Sequence, residues 1–377
     1  MKEKKIYRPV NWKLGMSVSP DHFIATENYL LECILQNAKA FRAPFHYGLL
    51  PALDDDRSVA ITLAGHGEQR TVVLESYKGI TPGGYLILLD DPESKITCPC
   101  ESEGEIPEEG WDILLNVVPF DRNPCGIPDI NETPSRYPYV EPTYRLTLLP
   151  RNNRKSVAEN YLYSVVIGLL RKQDGVYTLD GNYIPPSLSM ASHSRLHEYM
   201  ADFTREISIL DNAVKKIVEK TVAQPNRTPI AENVLLLCKD FSHTLSTIYF
   251  EWRNKAHMLT PYEVVKTLTS FASTILTSLC FLSIKEKETM LKYFHEWNGI
   301  SPSTFEQLLD EVVNKSYDHN RINQSLVAVQ SMLHMLEELF TSLSRLEFIG
   351  QHRESIVISE RQMQDTVSES NRWTLVD

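Results

Sequence analysis

The sequence predicts an α+β, multidomain protein in which an N-terminal all-β sandwich is followed by a helical bundle. Turn-forming residues supply the first observation. Of 21 prolines, 17 lie between Pro9 and Pro186, and of 15 glycines, 13 lie between Gly15 and Gly181. Punctuation that dense cuts the first half into segments too short for helices but long enough for strands. The second observation is two later runs of apolar residues in strict 4,3 spacing, the heptad period of long packed helices. A third is Ile184-Pro185-Pro186, where two fixed φ angles halt a strand or a helix and mark the boundary.

Residues 1–42 form a leading segment and a helix. Ser19-Pro20 supplies an N-cap and a proline suited to the first helical position, and Phe23, Leu30, Ile34 and Phe41 then share one face. Residues 43–186 hold the sandwich. Its expected strands are Val59 to Leu63, Thr71 to Tyr77, Tyr85 to Leu89, Ile113 to Val118, Tyr144 to Leu149, Tyr161 to Leu170 and Val176 to Leu179. The last two flank Asp174-Gly175, whose glycine accepts the positive φ of a tight hairpin.

Residues 187–349 form the bundle. Thr228-Pro229, Thr260-Pro261 and Ser301-Pro302 each pair a capping hydroxyl with a proline, and Thr260 with Glu263 has capping-box spacing. Leu196, Met200, Phe203, Ile207, Leu210, Val214 and Ile217 make the first heptad run, and Ile322, Leu326, Val329, Leu333, Leu336, Phe340 and Leu343 the second. Such a stripe serves either an antiparallel bundle within one chain or a coiled coil between chains. Thr267 to Ile284 lacks charge but is rich in Ser and Thr, which suits a bundle core better than a membrane span. Residues 350–377 remain as a short tail.

Composition narrows the function. Lys and Arg number 38 against 49 Asp and Glu, a net charge of −11, so nothing draws the chain to nucleic acid or anionic lipid. No apolar run of signal-peptide length follows the basic start, so a cytoplasmic location is expected. The six cysteines are scattered, and Cys98-Pro99-Cys100 lacks the second pair of a zinc site, so reduced thiols are expected. The sequence contains no phosphate-binding glycine loop, no nucleophile elbow and no H-E-x-x-H. His193 and His197, followed by Glu198, have the spacing to present two imidazoles from one helix, but no third ligand is identifiable. Asp54-Asp55-Asp56, Gly65-His66-Gly67 and Gly79 to Gly84 read as loops between strands. The expectation is a protein that is not an enzyme, with no catalytic residues, metal or cofactor.

Several short motifs, in order along about 350 residues, resemble the TssK subunit family of the type VI secretion baseplate. Trp12-Lys13-Leu14-Gly15-Met16 and Ser19-Pro20-Asp21-His22-Phe23 resemble that family's opening, although Asp21 stands where glutamine is usual. Asn182-Tyr183-Ile184-Pro185-Pro186 resembles its exit from the β domain, and Thr260-Pro261-Tyr262 to Leu268 its proline-opened helix. Tyr317-Asp318-His319 with Ser325-Leu326 resembles its tyrosine-x-histidine helix start.

The resemblance implies a sandwich like the shoulder of phage receptor-binding proteins, a helical neck, and a homotrimer. It implies a structural adaptor that joins the wedge subunits TssF and TssG to an envelope anchor, recruited to the cytoplasmic face of the inner membrane without inserting. Trp12, Leu14, Met16 and Phe23 are the candidate wedge contacts, or else a staple onto the protein's own helices. Only 28 residues follow Ile349, fewer than the family's C-terminal head, which suggests a different membrane anchor. Within that tail, Ile356 and Ile358 have the pattern of a strand that adds to a partner's sheet, and Trp373 that of an anchor, unless the tail packs on its own trimer. A phage-like receptor- or glycan-binding protein is the alternative reading, and a metal hydrolase using His193 and His197 a third.

Overall fold

The computed structural model describes residues 6–52, 58–66, 69–90, 95–100, 107–151 and 161–352. Asp54-Asp55-Asp56 and the tail residues Ile356, Ile358 and Trp373 lie outside them. The chain forms two compact units. The first takes residues up to Leu196 together with Met258–Pro261 and Asp318–Asn323, and the second takes the rest.

The first unit begins with helix α1 (Pro20–Phe41) and continues as two antiparallel sheets. Strand β3 (Gln69–Ile80) is the centre of the first sheet. Strands β2 (Val59–His66) and β1 (Gly48–Leu49) lie along one of its edges, and β5 (Ile96–Pro99) and β4 (Leu86–Leu89) along the other. The second sheet has the order β7 (Tyr139–Pro150), β6 (Trp111–Cys125), β8 (Ser164–Gln173), β9 (Val176–Leu179). All seven expected strands have a counterpart. Tyr161–Tyr163, however, is a 3₁₀ turn ahead of β8. Strands β1, of only two residues, and β5, which ends in Pro99, were not expected. Pro99 is tolerated in β5 because that strand lies at an edge. The β8–β9 hairpin turns at Asp174 and Gly175, with φ of 50° and 78°.

Alternation along the strands builds the core between the sheets. Trp111, Ile113, Leu115 and Val117 on β6, Val72 and Leu74 on β3, and Val165 and Ile167 on β8 are buried together. A Cβ on Gly168 would sit 3.1 Å from Ile113 Cδ1 and 3.2 Å from Ile61 Cδ1, so a bare glycine lets the layers close there. After Pro185-Pro186 the chain keeps pairing with β1. Leu49 N–H donates to the Pro186 carbonyl at 2.8 Å, and Leu188 N–H donates to Leu49 O at 2.9 Å. Gly48, at φ 106°, permits this approach, since any Cβ there would overlap the Pro186 carbonyl. The last strand, β9, ends before the prolines, and the first unit continues past them into the first turn of the next helix.

The second unit is built from helices α2 (Ser194–Ala223), α3 (Pro229–Lys255), α4 (Pro261–Cys280), α5 (Ile284–Asn298), α6 (Pro302–Asn314) and α7 (Ile322–Ser344). Three of them start at the expected prolines. Thr228 Oγ1 accepts from Ala231 N–H at 3.2 Å, and Ser301 Oγ accepts from Thr304 N–H at 3.1 Å. A capping box not foreseen, Ser283 with Glu286, starts α5, and Gly299 at φ 74° closes it. Residues 267–284 are not one continuous helix: α4 ends at Cys280, and Phe281 and Ile284 are exposed. Lys220 donates to the carbonyls of Ser344 and Leu346 at 2.8 and 2.6 Å, which satisfies orphan carbonyls at the end of α7.

All fourteen heptad residues are buried within the single chain, none more than 7% exposed. The stripes of α2 and α7 therefore serve the bundle core of one chain rather than a seam between chains. Phe241, at the centre, packs against Phe271 and Phe340 at 4.8 Å between ring centroids in both cases. No helix among the described residues is long and apolar enough to cross a membrane.

Candidate interaction surface

Local chemistry fixes where α1 begins. Ser19 has an extended backbone, Pro20 occupies the first helical position, and Ser19 N–H donates to His22 Nδ1 at 3.1 Å. His22 thereby fills the third-position role that Glu or Gln takes in a common capping box. Asp21 in the first turn and Lys39 in the last complement the helix dipole.

One side of α1 is held on the sandwich. Leu35 is buried, and a Cβ on Gly84 would come within 2.6 Å of Ala38 Cβ, so helix and loop touch closely. Arg42 donates to the Pro82 carbonyl, and Arg122 pairs with Glu27 at 2.6 Å. Burial, the largest influence on Arg42, lowers its pKa. Ahead of the helix, Tyr7 stacks on Phe120 with centroids 4.4 Å apart.

The opposite side is apolar and open. Phe23, Leu30, Ile34 and Phe41 recur at intervals of seven, four and seven residues and are 58%, 54%, 62% and 88% exposed. The expected shared face exists, and it points to solvent. Trp12 is half exposed, with its ring centroid 6.4 Å from that of Phe23 and 5.8 Å from that of His22. Leu14 is fully exposed in a turn completed by Gly15 at φ 81°, whereas Met16 is partly buried. Of the four candidate wedge contacts, Trp12 and Phe23 are thus brought together, Leu14 projects alone and Met16 is partly withdrawn.

A second open apolar surface was missed in the sequence. Strands β6 and β7 run on as an arm through Asn123↔Glu141, Pro124↔Val140 and Cys125↔Tyr139. On and beyond it, Ile127, Ile130, Tyr137, Tyr139 and Val140 are exposed. Six prolines between Pro119 and Pro142 were the available signal, and they read as turns rather than as a hairpin extending past its sheet.

Of the two candidate histidines, only His197 lies within α2. His193 precedes the first residue of α2, and its Nδ1 accepts from Arg195 N–H at 3.3 Å. It lines a cleft of about 190 Å³ with Val59, Ile61 and Tyr183, whereas His197 is exposed on the helix. All six cysteines are free thiols, and burial is the main cause raising the pKa of Cys98 and Cys100.

No family model matches the sequence, and no curated protein matches it. Solved structures do. One, described as a crystal structure of TssK, is 17% identical, with 88% of this chain and 69% of that chain covered at a TM-score of 0.51. A chain of a type VI secretion baseplate complex is 14% identical, with 88% of this chain and 70% of that chain covered at a TM-score of 0.53. At such identities the likeness speaks for the backbone arrangement, and it spans both the sheets and the helices. The chain has a TssK-like α+β fold.

Proposed function

We propose that this protein is a structural component of a type VI secretion baseplate, an adaptor that works by holding other subunits rather than by catalysis. The observation that carries the reading is the apolar face of α1, displayed on a TssK-like fold. Four large side chains aligned over five helical turns, extended by Trp12 and Leu14, form a surface that a solitary protein would bury. Aromatic and branched side chains on one rigid helix have the composition of an interface centre, while the polar inner contacts fix the helix in place.

In this reading the wedge subunits TssF and TssG dock on the leading segment, with Trp12, Leu14 and Phe23 as anchors and Met16 as support. The protein is a homotrimer on the cytoplasmic side of the inner membrane and passes the load to an envelope anchor. Because the heptads are consumed inside each chain, trimer contacts fall to other surfaces, and the exposed β6–β7 arm is the best supplied with apolar groups. The tail, residues 350–377, with Ile356, Ile358 and Trp373, is the candidate anchor segment.

Co-purification from cells that carry the secretion genes tests this. The parent chain should retain wedge subunits and show a trimer mass by light scattering. Trp12→Ala with Phe23→Asp should lose the wedge subunits while the trimer persists. A monomeric parent, or wedge binding unchanged in that variant, would overturn the respective part.

A further inference from the structure

We propose that Glu206 on α2 and His334 and Glu337 on α7 form a site for one divalent transition-metal ion that clips the two helices together. One ligand atom from each residue lies within 4.8 Å of those of the other two. His334 and Glu337, three residues apart, share a face of α7, and Glu206 reaches them from the neighbouring helix. Zinc with ligand bonds of about 2.1 Å would separate the donors by roughly 3.4 Å, a closure within reach of small side-chain torsions.

Glu206 supplies the independent reason to expect a cation. It is 4% exposed, and its buried Oε2 accepts no hydrogen bond among the described residues. The charged groups facing it are Arg205, with its guanidinium 3.9 Å from Oε1 and largely in solvent, together with Asp202, Glu337 and His334. Burial first, and then Glu337, push the Glu206 pKa up to about 7, and Arg205 and His334 offset this only in part. A core helix position holding an under-partnered carboxyl beside a second carboxylate is costly for the bundle alone. A metal ion would satisfy both.

The donor set selects the ion. One imidazole and two carboxylates suit zinc, manganese or cobalt, whereas magnesium and calcium favour a full shell of oxygens. His334 is 61% exposed, so the ion enters from solvent and keeps water in its remaining positions. Glu338 lies 3.4 Å from His334 Nε2, so a further carboxylate stands beside the ring.

Zinc titration into the chelator-stripped, full-length protein tests the site by calorimetry and by thermal unfolding. The parent should bind one equivalent that raises Tm, and magnesium should do neither. Glu206→Gln should lose that equivalent and the Tm rise, while unfolding at or above the parent's Tm without metal, because it removes a buried charge. His334→Ala, at an exposed position, should lose the equivalent without disturbing the fold. No zinc binding by the parent, no Tm shift, or an unchanged equivalent in His334→Ala and Glu206→Gln would overturn the proposal.

Discussion

His319 Nε2 lies 3.0 Å from the carbonyl oxygen of Tyr47, and the two rings meet edge to face at 4.7 Å, across 272 residues of sequence. A carbonyl only accepts, so Nε2 carries a proton. Burial, the largest influence, pulls its pKa down to about 4. This contact ties Asp318–Asn323, the end of the α6–α7 connection and the first residues of α7, to the sheet unit.

The pH dependence follows in sign. The unfolded chain binds a proton near pH 6.5 and the folded chain near 4, so His319 favours the folded state fully above about 6.5 and progressively less down to about 4. The loss is of order 3 kcal/mol. Denaturant titrations at several pH values should show this slope in the parent. His319→Gln, which keeps a donor and does not titrate, should flatten it.

Asp112 and Arg151 pair at 3.2 Å with both side chains largely buried, and the Arg151 guanidinium lies 5.6 Å over the Tyr183 ring. Asp112→Ala leaves a buried cation unbalanced and should cost about 3–5 kcal/mol. A double-mutant cycle with Arg151→Met should show strong coupling, with the double variant less damaged than the sum of the single ones.

Phe203 is fully buried in the bundle of a single chain. Phe203→Ala should destabilise the protein by about 3–5 kcal/mol, through lost transfer energy and a cavity. Thermal unfolding at protein concentrations about a hundredfold apart should show the same Tm deficit at both, as an intramolecular core requires. A deficit that grew on dilution would place Phe203 between chains.

Ile34→Asp, on the open face of α1, should behave oppositely. It should change folding stability by no more than about 0.5 kcal/mol. Retention of partner subunits should fall at least tenfold in co-purification with the full chain, since a buried charge at an interface is poorly tolerated.

Much of the fold was legible in the sequence because it depends on near neighbours. Pro20, Pro229, Pro261 and Pro302 start helices through their own φ angle, and Ile113 to Val118 declares a strand by its short apolar, β-branched run. Asp174-Gly175 fixes its hairpin through two local positive φ values. Periodicity likewise marked the heptad stripes and the shared face of Phe23, Leu30, Ile34 and Phe41. Only the tertiary structure decided which stripe was covered. A heptad reports that a face is apolar and says nothing of what lies against it, so α2 and α7 turned out buried within one chain while α1 turned out open. The two-residue strand β1, the joining of His319 to Tyr47, and the meeting of Glu206 with His334 and Glu337 all depend on contacts between distant segments. Their partners are chosen by the packed chain as a whole, and no local pattern of residues encodes them.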